Sequence, residues 1–155
     1  DFVPSRGLGD VYKRQGIRLK DNEDEVVGMI SVNDMDANIL VVSENGYGKR
    51  SSLEDYRLTN RGGKGVKTIS ITTKTGQLVS LKSVTDSDDL MIINKSGIAI
   101  RMQVADLRVM GRATQGVKVI SIKDGDGIAA VAKVMNDEDE IEDINDIEFT
   151  GDTIK

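Results

Sequence analysis

Residues 39–71 read ILVVSENGYGKRSSLEDYRLTNRGGKGVKTISI, and residues 90–122 read LMIINKSGIAIRMQVADLRVMGRATQGVKVISI. The two stretches align at a shift of 51 residues. Identities fall at Gly46/Gly97, Arg50/Arg101, Asp55/Asp106, Arg57/Arg108, Arg61/Arg112 and Gly65/Gly116, then run through Val66/Val117, Lys67/Lys118, Ile69/Ile120, Ser70/Ser121 and Ile71/Ile122 to Gly76/Gly127. Where identity fails, apolar character persists, as at Leu53/Val104, Tyr56/Leu107 and Leu58/Val109. A fixed period of this length marks a chain built from stacked units, each burying its faces against its neighbours.

Within a period the pattern is that of short strands. Val and Ile dominate, polar residues often alternate with them, and Gly or Asn-Asp clusters interrupt the runs. The expected strands are 26–32, 38–43, 47–52 and 66–71 in the first set, and 77–84, 90–95, 98–103 and 117–122 in the second. Asn45-Gly46 and Ser96-Gly97 stand where hairpin turns need positive φ. The stretches LEDYRL (53–58) and VADLRV (104–109) have room for one helical turn and no more. The fold class that follows is all-β, a partial propeller-like array of about two four-stranded blades. The expected units are a blade over 16–75, a blade over 76–126 and a closing strand over 127–135, where a third copy begins at GIAAVAKV and stops.

Composition narrows the chemistry. The 155 residues are enough for a real core, yet aromatics make up 3% and Trp, Cys and His are absent, so the core is aliphatic. Without Cys or His, the usual zinc sites, disulfides, thiol nucleophiles and imidazole bases are excluded. No apolar run approaches the roughly 20 residues that span a bilayer. Charge is unevenly distributed. Residues 136–155 hold nine acidic side chains against Lys155, a local charge of −8, so residues 1–135 carry +3 of the chain's −5. A basic folded part followed by an acidic, disordered tail is the expectation.

The string GYGKRSSLEDYRLTNRGGKGV, followed one period later by RMQVADLRVMGRATQGV and preceded by GIRLKDNEDEVVGMI at 16–30, resembles the C-terminal domain of the DNA gyrase A protein. The resemblance covers about residues 16–135. It implies a β-pinwheel, a propeller-like ring whose blades exchange strands, with DNA wrapped around a basic rim. It places these as the last two blades, followed by the acidic tail. Two departures accompany it. The family's gyrase box has the form Gln-basic-basic-Gly-Gly-basic-Gly, and the nearest match, Thr59-Asn60-Arg61-Gly62-Gly63-Lys64-Gly65, lacks the Gln and one basic residue. The loop Met110–Gly116 is more degenerate. Residues 1–15, DFVPSRGLGDVYKRQ, match neither repeat; they resemble translated adapter sequence and are expected to be a non-native leader, so Tyr12 is not read as a DNA-attacking tyrosine.

By that resemblance the chain serves a cytoplasmic, ATP-dependent type IIA topoisomerase that introduces negative supercoils. Its partners are double-stranded DNA, the rest of the gyrase A polypeptide and the gyrase B polypeptide. Catalytic residues, and the sites for ATP and Mg²⁺, are expected in other parts of the parent enzyme. Two other readings stay open: the C-terminal domain of the corresponding topoisomerase IV polypeptide, and a protein-interaction propeller.

Wrapping needs phosphates neutralised along a curve without base reading, which Lys, Arg and backbone N–H groups supply. The candidate DNA-binding residues are Lys49, Arg50, Arg61, Gly62, Gly63, Lys64, Gly65 and Lys67, with Arg101, Arg112 and Lys118 one period on. Glycines 62, 63 and 65 would let backbone approach phosphate. Arg61 and Arg112 recur beside small residues and are the favoured contacts. Arg50 and Arg101 recur within strands, where a structural role competes. Asp55 and Asp106 read as partners of a nearby Arg or as local caps. The acids at Asp34, Asp36, Asp86, Asp88 and Asp89 read as solvated turns without a metal-loop pattern.

Overall fold

The computed structural model describes residues 16–134. The leader at 1–15 and the acidic tail at 136–155 lie outside the described residues. Seven strands follow in order: β1 (Asn38–Ser43), β2 (Tyr47–Ser52), β3 (Leu78–Val84), β4 (Asp89–Asn94), β5 (Ala99–Gln103), β6 (Val117–Lys118) and β7 (Ile128–Val134). Single 3₁₀ turns at Leu53–Asp55 and Val104–Asp106 occupy the two positions with room for one helical turn. The all-β expectation holds.

The strands form two antiparallel sheets, β3-β1-β2-β6 and β5-β4-β7. The sheets do not coincide with the sequence periods. β3 lies beyond residue 75 but pairs with β1, Leu40 opposite Lys82. β6, from the second period, pairs with β2 through Tyr47↔Lys118 and Gly48↔Val117. β7 pairs with β4 one period after β3 pairs with β1, Ile92 opposite Val131. Within the expected closing strand, β7 therefore pairs with β4 and lies in the last sheet. Strands are exchanged between repeats, so no period folds on its own residues.

Three expected strands differ. Residues 26–32 and 66–71 have no strand, and 117–122 shortens to Val117–Lys118. Pairing explains the first two. β3 and β7 each cap the hairpin of the repeat before them, so 27–33, one period before β3, would cap a hairpin for which no described residue exists. Val66–Lys67 stand one period before β6 and lack the same partner. Strand propensity without an edge to bond does not make a strand.

The core follows from period-2 alternation in β1. Leu40 and Val42 point into one cluster with Val84, Leu90, Ile92, Val104, Leu107, Ile120, Ile128 and Val131; this cluster joins the two sheets. Ile39 and Val41 point the other way, toward Ile69, Ile30, Leu53, Tyr56, Leu78 and Leu81. β1 is thus covered on both faces and reads as a continuous apolar run. In β4 only Leu90 and Ile92 are fully buried; Met91 and Ile93, the counterparts of Leu40 and Val42, are half-buried.

Candidate nucleic-acid interface

The loop Thr59–Gly65 is backbone-shaped. Gly62 and Gly65 have φ of 72° and 77°, the left-handed region that side chains avoid. Gly62 N–H donates to Gly16 O (3.1 Å) and Arg18 N–H donates to Gly63 O (2.8 Å), so the segment at 16–18 braces the loop from outside. Arg61 and Lys64 stand exposed on it, and their side chains make no hydrogen bond or ion pair among the described residues. Lys64 also lines a hollow with Arg18, Lys20 and Asp24. Arg18 and Lys20 are not candidates by sequence, because their nearness depends on the parallel bridge between Ile17 and Gly63.

The second loop, Met110–Gly116, is braced at the matching place. Ser70 N–H donates to Thr114 O (3.1 Å), as Arg18 does to Gly63. Arg112 is half-buried, and its Nη1 donates to Lys67 O (2.9 Å). Gln115 Nε2 bonds Thr72 Oγ1 (2.8 Å). Lys67 and Lys118 are exposed. The two loops are brought into one periodic arrangement, with Arg61 open and Arg112 anchored.

Two candidates are placed inside. Lys49 is 1% exposed; its Nζ donates to Gly111 O (2.9 Å), to Arg112 O and, weakly, to Thr114 Oγ1 (3.4 Å). Burial holds its ammonium below the ordinary lysine range, the Arg112 charge pushes the same way, and Asp55 opposes them. Arg50 is 5% exposed, pairs with Asp86 (2.5 Å) and reaches Val104 O and Leu107 O at 3.4 Å each. Both side chains face protein carbonyls, so neither offers its charge to a phosphate directly. Arg101 pairs with Asp89 through Nε and Nη2, both at 2.7 Å, its side chain half exposed.

Of the acidic turn residues, Asp34, Asp36 and Asp86 are exposed as expected, whereas Asp88 and Asp89 are drawn into the structure. Asp88 accepts from Thr85 N–H (2.8 Å) and Asp89 is 4% exposed. Asp34 accepts from Asp36 N–H (2.9 Å). Among the described residues no cluster of three or more acidic side chains could hold a metal ion. Among them, too, no helix is long and apolar enough to cross a membrane.

A propeller-like stack of exchanged sheets with a recurring basic glycine loop defines a class of repeat domain, and comparison with known proteins places it. The family model described as "DNA gyrase C-terminal domain, beta-propeller" matches residues 14–33, 37–85 and 88–135. The DNA gyrase A protein of Staphylococcus aureus strain MRSA252 is 49% identical over 128 residues, 81% of this chain and 14% of that protein. Its counterpart from strain NCTC 8325 is 50% identical over 129 residues, again 81% of this chain and 14% of that protein. Among solved structures, a DNA gyrase A C-terminal domain matches with TM-score 0.60 at 28% identity, over 63% of this chain and 33% of that one. A DNA topoisomerase IV C-terminal domain matches with TM-score 0.73 over 84% of this chain and 41% of that one; at 20% identity it speaks to the fold alone.

The chain belongs to the DNA gyrase A C-terminal domain family. It spans about a seventh of the curated relatives it matches.

Proposed function

We propose that this chain is a DNA-binding and DNA-wrapping part of a gyrase A protein, supporting negative supercoiling by an ATP-dependent type IIA topoisomerase of the cytoplasm. Duplex DNA is the ligand, and the rest of the gyrase A polypeptide and the gyrase B polypeptide are its protein partners. The cleavage chemistry, ATP and Mg²⁺ belong to other domains of that enzyme. The observation that carries the reading is the Thr59–Gly65 loop: two left-handed glycines shape its turn while Arg61 and Lys64 project without partners among the described residues. Such a loop neutralises phosphate without reading a base. Arg18 and Lys20 add positive charge beside Lys64, with Asp24 lining the same hollow.

The test is the salt dependence of duplex binding. Each phosphate contact contributes about 0.9 to the slope of log affinity against log salt. Arg61→Ala and Lys64→Ala should each lower the slope by about that amount, equally on unrelated DNA sequences. Unchanged slopes in both variants would leave these side chains as solvated charges.

A further inference from the structure

Lys49 has no use at the surface, and its counterpart one period later is Ile100, so the repeat does not require a cation there. Burying an ammonium is costly unless its donors are satisfied. Here all the acceptors come from one short segment: Gly111 O, Arg112 O and Thr114 Oγ1. That segment belongs to the second repeat, whereas Lys49 lies on β2 of the first sheet. Residues 110–116 form no strand, and Gly111 and Ala113 carry almost no side chain with which to anchor themselves. The other restraints are Ser70 to Thr114 O and Ala113 O, Arg112 to Lys67 O, Gln115 to Thr72 Oγ1, and Met110 N–H to Arg50 O (2.7 Å), which holds the start of the loop to β2 just before the residues that Lys49 holds. Removing the ammonium would leave the Gly111 and Arg112 carbonyls only the donors of Thr114 within the loop itself, its Oγ1 (3.2 Å) and its N–H (2.5 Å), and no side-chain bond to the first sheet.

We propose that Lys49 is a positioning residue for the nucleic-acid interface, clamping the Met110–Gly116 loop from the neighbouring repeat so that Arg112 is held where phosphate passes. The role rests on the DNA-binding reading above, but the clamp itself is independent of DNA. Lys49 touches no phosphate; it acts through the shape of the loop. Arg50, the next residue, reaches into the same repeat at Val104 O and Leu107 O, so β2 grips the second repeat at two successive residues.

The experiment uses the full chain and three variants, Lys49→Met, Arg112→Ala and the pair together, with Lys49→Arg as the conservative control. Lys49→Met should weaken duplex binding about tenfold at low salt and lower the salt slope by about 0.9, and Arg112→Ala should do the same. The double variant should bind no more weakly than either single one, and Lys49→Arg should recover most of the affinity. Without DNA, amide exchange at Ser70 should accelerate in Lys49→Met while Leu40 and Ile92 keep their protection. Additive losses of affinity, or unchanged exchange at Ser70, would overturn the clamp. Loss of protection throughout would overturn it in favour of a general core role, and Thr114→Val, which removes one acceptor outside the core, should then show no local acceleration either. If Arg112→Ala leaves binding unchanged while Ser70 exchange still responds to Lys49→Met, the DNA reading of the loop fails and the clamp stands.

Discussion

Gly46 and Gly97 occupy the same turn in the two repeats, yet their surroundings differ. Each N–H closes the turn, on Ser43 O (3.1 Å) and Asn94 O (3.0 Å), and each φ is left-handed, 83° and 85°. This is the three-residue hairpin loop with glycine in the αL position. A Cβ at Gly97 would meet open space, but one at Gly46 would lie 2.5 Å from Ile120 O. Gly97→Ala should therefore lose about 1–2 kcal/mol, the ordinary left-handed penalty. Gly46→Ala should lose more, because the chain that follows β6 has to move as well. Denaturant midpoints at unchanged m-value would measure both, and equal losses would contradict the crowding argument. The glycines were legible in the sequence. The contact with Ile120 was not, because it joins a turn in one repeat to a residue in the next.

At the scale of elements, two turns hold carboxylates below their ordinary range. Glu44 sits below its ordinary value chiefly through its hydrogen bond and ion pair with Lys95 (2.5 Å). Asp126 sits below its own through Ser96 Oγ (2.6 Å) and the Gly127 N–H (2.8 Å). For both, the folded-state pKa lies under the unfolded one, so their contribution is complete near neutral pH. It fades as pH drops below about 4.3 and is gone below the folded values. Acid destabilisation should begin in that range, and Lys95→Met should flatten the Glu44 part of it in chemical melts followed from neutral pH down to about pH 3. Strand existence is a second matter at this scale. Central β1 and β4 are bonded on both sides and should be the slowest in hydrogen exchange, whereas 26–32 and 66–69 should exchange fast, with Ser70 slower through its bond to Thr114 O. In a longer polypeptide containing the preceding repeat, protection should appear at 27–33. Its absence there would refute the pairing derived from β3 and β7.

The whole molecule is a stack whose faces pass from one sheet to the next. Leu40 and Val42 meet Leu90 and Ile92 across the interior, and the equivalent outward positions Met91 and Ile93 are less covered. Val26, Val27, Met29 and Val32 remain exposed at the opposite end, Met29 at 91%. Truncating Leu40 to Ala should destabilise by about 2–5 kcal/mol, since it sits in the shared cluster and not in one repeat. Electrostatics also belong to this scale. Deleting residues 136–155 turns a net charge of −5 into +3. Duplex affinity should rise on truncation, most strongly at low salt where the Debye length is about 30 Å, and the gain should shrink as salt increases. Equal affinity with and without the tail would make it a solubilising end.

The period of 51 residues, the aliphatic strands, the hairpin glycines and the basic loop at 59–65 were determined by the sequence itself, because each is a local pattern or a repetition. Strand partnership was decided only by the tertiary structure. β3, β6 and β7 bond hairpins outside their own periods, and propensity says nothing of which edge a strand will meet. The same reason separates the cations. Lys49, Arg50, Arg61 and Lys64 look alike along the chain, but hydrogen-bond partners contributed by another repeat draw the first two inside. Arg61 and Lys64 find no such partners among the described residues and keep their charge at the surface, where a phosphate can reach it.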